Sequence, residues 1–213
     1  MKTRVLFHLH TNLTDGTSTV RDYFEFAKRN GIEKLVFLEH IRKNPTFDVR
    51  EFAAEVARCS QEYGVNGIVG FEAKILPHGE LDIQEEHIAL AKYVGIAEHS
   101  FLGDAGMLVD SFWKICKRFP SKYSQVCFVW VHPGAWFKKR NALSDPNYTA
   151  MINIALEFPV LIEQNLRYQL PEEEFLFTVP KTKVIVGLDA HSVADLQRAL
   201  CAEKKTKRGG ALE

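Results

Sequence analysis

Short apolar runs bounded by turn-forming residues alternate along the chain with segments whose apolar residues recur at helical spacing. The apolar runs predict seven β-strands, near residues 4–9, 34–39, 67–72, 93–98, 127–131, 159–164 and 183–188. Helical spacing is clearest after the first strand, where Val20, Tyr23, Phe24 and Ala27 would share one face. Strict alternation of strand and helix predicts an α/β fold whose parallel strands are joined by right-handed crossovers.

Capping residues predict where several helices begin and end. Thr19 is a suitable N-cap for the first helix, and Gly31 would end it. The second helix would begin after Asp48, which has Glu51 at capping-box spacing, and end at Gly64. Less regular patterns predict further helices at 84–92, from Met107 to Phe119, after Asp145, from Pro171 to Phe177 and after Ser192.

Chain length and charge bound the domain organisation and the partners. A chain of 213 residues suits one barrel domain, which we place at residues 1–203, followed by a frayed tail at 204–213 where the apolar period is lost. The 27 basic and 27 acidic residues balance, so no overall field attracts a nucleic acid or an anionic membrane. The sequence also shows no basic stripe interleaved with aromatic residues, so a long nucleic acid is not an expected partner.

The sequence predicts a cytoplasmic protein. No run reaches the roughly 18 apolar residues that a membrane span requires. The first apolar run follows Arg4 and has five residues, fewer than the apolar region of a signal peptide. The four cysteines are far apart and form no C-x-x-C pair, which is typical of free thiols in a reducing compartment.

Side chains of the kinds that bind metal ions stand at the end of every predicted strand but the sixth. The first strand ends on His8 and His10, and the seventh on Asp189 and His191. Residues i and i+2 of an extended strand point to the same face, so each pair can direct two donors into one cavity. The full set is His8, His10, Asp15, His40, Glu72, His99, His132, Asp189 and His191.

The placement of the histidines distinguishes a shared site from scattered structural residues. Six of the eight histidines fall at strand ends, which leaves only His78 and His87 elsewhere. Any one strand histidine more often bonds a neighbour, but six in equivalent positions indicate a common site. Because active sites of parallel barrels collect at the C-terminal ends of the strands, this placement favours a closed, TIM-barrel-like (β/α)7 barrel over an open doubly wound sheet.

Nine such donors are enough for two or three divalent ions, since three histidines and one carboxylate make one mononuclear catalytic site. Imidazole and carboxylate without thiolate suit zinc, manganese or iron, and the residues do not choose among them. At the end of the sixth strand, Glu163 and Asn165 share a face. There they could contact ligands or substrate, or pack in the core.

Six motifs, each closing a predicted strand, resemble those of the polymerase and histidinol phosphatase (PHP) family of metal-dependent phosphoesterases. They are H-L-H-T-N-L-T-D-G at 8–16, L-E-H at 38–40, G-F-E at 70–72, A-E-H-S at 97–100, V-H-P-G at 131–134 and G-L-D-A-H-S at 187–192. The likeness spans nearly the whole chain. It implies the family's distorted barrel of seven strands and seven helices, and a hydrolase acting on a small phosphorylated substrate.

The resemblance also implies how the nine donors are shared. They divide into His8, His10, Glu72 and Asp189 for a first ion, Glu72, His99 and His132 for a second, and Asp15, His40 and His191 for a third. Asp15 stands where some family members have histidine, and Glu39 precedes His40 where aspartate is frequent. Both departures leave a two-ion form open beside the three-ion form.

The mechanism that the resemblance implies is attack of a metal-bridging hydroxide on the phosphorus of a phosphate monoester, with two ions about 3.5–4 Å apart. His40, Asp189 and His191 are the predicted catalytic residues, and the third ion or either histidine would assist the leaving alkoxide. Cationic side chains should complete the clamp on the phosphoryl charge. The candidates for substrate binding are Arg42, Lys74, Lys138, Lys139, Arg140 and Arg167.

Three other functions remain open on the sequence. Phosphodiester cleavage, as by a nucleotidase or a 3′-exonuclease-type PHP domain, would use the same ions. Carboxyl-ester or amide hydrolysis on a similar barrel commonly uses a carbamylated lysine at the bridging position, which Glu72 occupies in this chain. A non-catalytic metal-binding module would be expected to lack some ligands, and none of the nine is missing.

Overall fold

The computed structural model describes residues 5–209 of the chain, with side chains up to residue 201. The strands are β1 Val5–Leu9, β2 Lys34–Phe37, β3 Glu39–Ile41, β4 Asn66–Ile68, β5 Gly70–Leu76, β6 Glu80–Leu81, β7 Tyr93–Ala97, β8 Cys127–Trp130, β9 Val160–Asn165 and β10 Val184–Gly187. The helices are α1 Val20–Asn30, α2 Val49–Tyr63, α3 Glu85–Leu90, α4 Ala105–Lys122, α5 Ala135–Lys138, α6 Pro146–Glu157, α7 Glu173–Thr178 and α8 Val193–Gly209.

All seven predicted strands are present, but the second and third are each interrupted once, at Leu38 and at Val69. One parallel sheet runs in the order β1, β2, β4, and another in the order β3, β5, β7, β8, β9, β10. Because β2 continues directly into β3, and β4 into β5, the two sheets form one continuous surface. Strand β6, which the sequence did not predict, pairs antiparallel with the end of β5.

The two edges of this surface meet between β1 and the segment that follows β10. The Leu188 N–H donates to the Phe7 carbonyl at 2.9 Å, and the Ala190 N–H donates to the His8 carbonyl at 3.0 Å. The His10 N–H donates in turn to the Ala190 carbonyl at 2.9 Å. These bonds stand in place of a regular ladder, and they join the ends of the predicted α/β fold into a distorted ring.

Alternate residues of the strands pack into two separate apolar clusters. The larger lies between strands and helices and includes Leu6, Phe37 and Trp130. The smaller, which we call the inner apolar cluster, takes the intervening residues, which project from the opposite face of the same strands. Its buried members are Phe7, Val36, Leu38, Ala97, Val129 and Val131. The face turned away from the helices is thus filled with close-packed hydrocarbon rather than left as a pore.

The predicted caps of the first two helices are confirmed. Thr19 accepts a hydrogen bond from the Asp22 N–H, and the Asp22 carboxylate accepts one from the Thr19 N–H, which completes a capping box. Asp48 accepts hydrogen bonds from the first turn of α2. Gly31 and Gly64 both have positive φ angles, 62° and 63°, the left-handed conformation that glycine adopts most easily.

The later helices show where local patterns were weaker. The two least regular predicted segments form short helices, α3 and α7, of six residues each. Helix α5, directly after the fifth predicted strand, was not predicted. Helix α8 extends to Gly209, so residues 204–209 of the predicted tail are helical, while 210–213 lie outside the described residues. The division at residue 203 stays a prediction. Among the described helices, none is long and apolar enough to cross a bilayer.

Candidate metal centre

The structure brings all nine predicted ligand residues together at the C-terminal ends of the strands, with Glu72 at the middle of the group. Glu72 is 1% exposed, and its two carboxylate oxygens face the ring nitrogens of five histidines from four strand ends. The nitrogen to oxygen distances are 3.0 Å to His8, 3.3 Å to His132, 3.5 Å to His40, 3.6 Å to His10 and 3.9 Å to His99. One carboxylate therefore links residues that are far apart in the sequence.

Two further carboxylates complete the group on its other side. Asp189 Oδ1 lies 3.4 Å from His10 Nε2 and 3.6 Å from His191 Nδ1. Asp15 Oδ2 lies 3.2 Å from His40 Nε2 and 3.3 Å from His191 Nε2. Asp15 is about half exposed, whereas Asp189 is buried, so the Asp15 side of the group is the side that faces solvent.

Three of these residues have backbone conformations that side chains other than glycine seldom adopt. The φ angle is 71° at His8, 34° at His132 and 52° at Asp189. Such conformations cost on the order of 1–3 kcal/mol each and collect at functional sites. They also correct the prediction that both ligand pairs project from extended strands, because β1 bulges between Phe7 and Leu9. The pairs converge, but the distorted backbone directs them.

The donors fit divalent metal ions in both position and chemistry. Within the described residues, both ring nitrogens of His10 and the Nδ1 atoms of His99 and His132 are buried without a hydrogen-bond partner. Leaving a buried polar atom unpaired costs about 1–3 kcal/mol, and a bound cation would remove that cost. Four groups of residues each offer one donor atom per residue, and within a group these atoms all lie within 4.8 Å of one another. The groups are His8, His10 and Glu72; Glu72, His99 and His132; His8, His132 and Asp189; and His10, Asp15, His40 and His191.

The pKa shifts of these residues also favour positive charge beside the buried carboxylates. Burial opposes ionisation of Glu72, but the charge of His132 and hydrogen bonds from His132 and His8 hold the pKa of Glu72 well below its usual range. Burial alone would lower the pKa of His8, yet the charges of Glu163 and Asp189 raise that pKa well above its usual range. Burial, followed by the charge of His132, lowers the pKa of His99 to about 4, which keeps its ring neutral and able to bind a cation.

Comparison with protein families gives one decisive match. A family model described as the PHP domain matches residues 7–129, which is more than half of the chain. The chain belongs to the PHP domain family. As a PHP domain, it is a metal-dependent phosphoesterase, a hydrolase of the phosphatase type. The match ends before His132, Asp189 and His191, and the structure adds these residues to the group.

Solved structures show the same fold at low sequence identity. The histidinol phosphate phosphatase HisK of Lactococcus lactis, complexed with zinc, L-histidinol and phosphate, is 13% identical, with a TM-score of 0.59 over 95% of this chain and 93% of its own. The protein assigned as histidinol phosphatase HisK in Listeria monocytogenes is 12% identical, with a TM-score of 0.64 over 93% and 99%. No curated protein sequence matches the chain.

Behind the donors of this PHP domain, the Glu163 carboxylate contacts both His8 and His132. Glu163 is fully buried, and its Oε1 lies 2.5 Å from His8 Nδ1 while its Oε2 accepts the His132 N–H at 2.6 Å. Asn165 donates to Glu163 Oε2 and to Asp189 Oδ2, at 3.0 and 3.3 Å. A Cβ atom at Gly187 would lie 1.7 Å from Glu163 Oε1, so the glycine leaves room for this side chain. The sequence left the roles of Glu163 and Asn165 open, and the structure places them behind the ligands.

Two more buried carboxylates hold the loops that carry the donors. Glu98 accepts hydrogen bonds from Trp130 Nε1 at 2.6 Å and from the Gly134 N–H at 2.7 Å, and so braces the loop after His132. Burial raises the pKa of Glu98 to about 7. Glu39 accepts from the Thr11 N–H and hydroxyl, at 2.8 and 2.5 Å, and so secures the loop that leads to Asp15. Sequence analysis missed both bracing roles, although Glu98 and Glu39 each directly precede a predicted ligand.

The predicted substrate-binding cations divide into those near the donors and those with other contacts. Arg42 and Lys74 line a cleft of about 370 Å³ whose other walls include Asp15, His40 and His99. Burial, and then the charge of Arg42, lower the pKa of Lys74. On the opposite side, Arg167 Nη1 lies 2.6 Å from His191 Nδ1.

The basic run after β8 makes mixed contacts. Lys138 donates to the Tyr168 carbonyl at 2.8 Å, and the guanidinium of Arg140 lies 3.8 Å from the centre of the Trp136 ring. Lys139 donates to the His99 carbonyl at 3.3 Å. Sequence analysis did not single out Tyr168, whose ring centre lies 5.7 Å from that of His132. The substrate roles of these residues stay predictions.

Proposed function

We propose that this PHP domain hydrolyses a small phosphate monoester at the group of donors around Glu72. The observation that supports this is a buried group of histidines and carboxylates that could bind cations, beside a solvent-facing cleft lined by Asp15, His40 and His99. Phosphoryl transfer is mainly a matter of positioning and of stabilising negative charge, and this arrangement is suited to both.

The residues best placed to hold two ions are the five buried donors and His99, with Glu72 between them. They are His8, His10, Glu72, His99, His132 and Asp189. When bound, zinc, manganese or iron ions would supply the activated water for attack and positive charge for the phosphoryl oxygens. Glu163 orients His8 through its Nδ1 atom, which leaves His8 Nε2 directed at Glu72.

His191 is positioned to hold a proton for the leaving oxygen. The guanidinium of Arg167 contains only donors, so the Nδ1 atom of His191, 2.6 Å away, accepts from it in one tautomer. In the other tautomer the same Nδ1 atom donates to the Asp189 carbonyl, 3.1 Å away. The same arginine nitrogen donates to the Asp189 carbonyl at 3.0 Å. In the first tautomer the ring carries its proton on Nε2, the atom 3.3 Å from Asp15. Because the contact with Arg167 is the shorter one, we propose the first tautomer, and with it a two-ion centre in which His191 is a proton donor rather than a ligand of a third ion.

From the Lactococcus lactis neighbour, which was solved with L-histidinol and phosphate, we extend to this chain the phosphate monoester as the substrate class. The alcohol need not be the same, because the two chains share only 13% of their residues.

The direct test is release of p-nitrophenol from p-nitrophenyl phosphate by protein reconstituted with manganese or zinc. We expect activity with the metal-loaded protein and none after exhaustive chelation, with recovery on adding metal back. The monoester should be cleaved faster than bis(p-nitrophenyl) phosphate. Faster cleavage of the diester would replace the proposal by phosphodiester hydrolysis, and equal activity with and without chelation would contradict it.

Metal binding should also be visible without catalysis. An ion that binds only the folded chain stabilises it, by about 2.7 kcal/mol at a free concentration 100 times the dissociation constant. We therefore expect the thermal unfolding midpoint of the chelated protein to rise when zinc or manganese is added. Sodium or potassium salts that contain no magnesium should leave the midpoint unchanged. An unchanged midpoint would contradict the assignment of these donors to metal ions.

A further inference from the structure

The cleft beside the metal centre has two unlike walls. Its inner wall is formed by Asp15, His40 and His99, which belong to the donor group. Its outer wall carries Arg42 and Lys74, which follow His40 and Glu72 by two residues. Arg42 comes directly after β3, and Lys74 lies on the neighbouring strand β5. A cleft of about 370 Å³ has room for a small organic group beyond the donors.

The positive charges of the outer wall are incompletely paired. The Lys74 ammonium forms no ion pair or hydrogen bond within the described part of the chain, although its side chain is half-buried. Arg42 has one carboxylate nearby, with its Nε atom 3.6 Å from Asp82 Oδ2, which is longer than a hydrogen bond. The other carboxylate oxygen of Asp82, Oδ1, accepts a hydrogen bond from the Lys43 N–H at 2.9 Å. Both cations line the cleft. Within the described residues Lys74 has no partner, and the guanidinium of Arg42 is only partly engaged, by the Ile41 carbonyl and by Asp82.

The position of these charges separates them from the phosphoryl group. A phosphoryl group in reach of Glu72, which is 1% exposed, would lie at the inner end of the cleft. A route for the rest of a monoester to extend into the cleft is outward, past His40 and His99, whose side chains are 20% and 25% exposed. The outer wall would then meet the alcohol part of the substrate, not the phosphorus.

We propose that the alcohol released by this enzyme carries an anionic group of its own, a carboxylate or a second phosphate, which binds to Arg42 and Lys74. The inference rests on the proposed phosphomonoesterase function and specifies its substrate class. Arginine and lysine both bind carboxylate and phosphate through charge-assisted hydrogen bonds. An alcohol with a positive charge would be repelled by the same wall.

Matched aryl phosphates test the proposal. The series is 4-carboxyphenyl phosphate, its neutral analogue 4-carbamoylphenyl phosphate, 4-(aminomethyl)phenyl phosphate and 1,4-phenylene bisphosphate, with phosphate release as the assay. A hydrogen bond to a charged group contributes about 1.5–3 kcal/mol, so we expect kcat/KM for the carboxylate to exceed that for the carboxamide by about tenfold or more. The cationic ester should be the poorest substrate. Comparing the carboxylate with the bisphosphate distinguishes the two kinds of anion.

The variants Arg42→Gln and Lys74→Met should each reduce the preference for the carboxylate over the carboxamide, and the double variant should abolish it. Lys92→Met is the matched control, because Lys92 is exposed at the opposite end of the barrel, where its ammonium donates to the Gln125 carbonyl. The control should keep the full preference. Equal kcat/KM for the two esters in the wild-type protein, or a preference that survives in the double variant, would overturn the proposal.

A binding experiment separates this inference from the proposed reaction. The non-hydrolysable pair 4-carboxybenzylphosphonate and 4-carbamoylbenzylphosphonate can be titrated calorimetrically into metal-loaded protein. Tighter binding of the carboxylate, lost in the double variant, would support the anion site even if no ester were hydrolysed, in which case the proposed function alone would fail. Equal binding of the two phosphonates would overturn the anion site, whatever the esters show.

Discussion

The barrel strands contribute hydrocarbon to one region and imidazole and carboxylate to another, often from consecutive residues. Phe7 belongs to the inner apolar cluster and His8 to the metal centre, and Val131 and His132 divide in the same way. Both regions are buried, but they differ in backbone. His8, His132 and Asp189 have positive φ angles, whereas no buried member of the inner apolar cluster does.

The difference shows what each kind of contact requires. Apolar packing is non-directional, so extended strands satisfy it without distortion. Metal-type donors must point at a common centre, and the chain bends locally to direct them. The inner apolar cluster therefore stabilises the fold, while the metal centre, with unpaired ring nitrogens, reduces stability until a cation binds.

The largest effect is expected from Glu72→Gln in the metal centre. Glutamine keeps the size of the side chain but removes the charge that lies within 4 Å of five histidine rings. We expect phosphoesterase activity to fall to background and bound metal to fall by at least one ion per chain, measured by inductively coupled plasma mass spectrometry. Wild-type metal content in this variant would show that the centre does not depend on Glu72.

A smaller effect, of a different kind, is expected in the inner apolar cluster. Leu38→Ala removes a fully buried side chain, and such truncations reduce the free energy of unfolding by about 2–5 kcal/mol. Urea denaturation measures the loss, and the exposed Val186→Ala serves as control, with a change within about 0.5 kcal/mol. Metal content per folded chain should be unchanged. If Leu38→Ala also lost metal, metal binding would depend on packing in the inner apolar cluster.

The smallest effect is expected from Glu163→Gln, behind the ligands. The carboxylate accepts from both His8 and the His132 N–H, and the amide of glutamine would place a donor against one of them. Changes in such supporting contacts typically weaken metal binding about 10–100-fold. Competition with a chromophoric chelator measures the affinity, and the exposed Glu157→Gln is the control. An unchanged metal affinity would mean that Glu163 contributes packing but does not support metal binding.

The strand positions and the first two helices were predictable because their signals are local. Apolar spacing and the caps at Thr19, Gly31, Asp48 and Gly64 depend on residues within a few positions of one another. Helix α5 was missed because a four-residue helix has no repeating pattern to read. Among neighbouring basic residues, Lys138 contacts Tyr168 and Lys139 contacts His99, a difference that depends on the turn of α5.

By itself, the sequence determined the alternation of strand and helix and the kinds of donor at the strand ends, since both are written in short-range spacing. Only the tertiary structure decided which donors share a centre, that Glu163 stands behind His8, and that Arg42 and Lys74 face one cleft. The physical reason is that these contacts join residues tens to more than a hundred positions apart. Their geometry follows from closure of the ring and from the left-handed backbone at His8, His132 and Asp189, which no local pattern specifies.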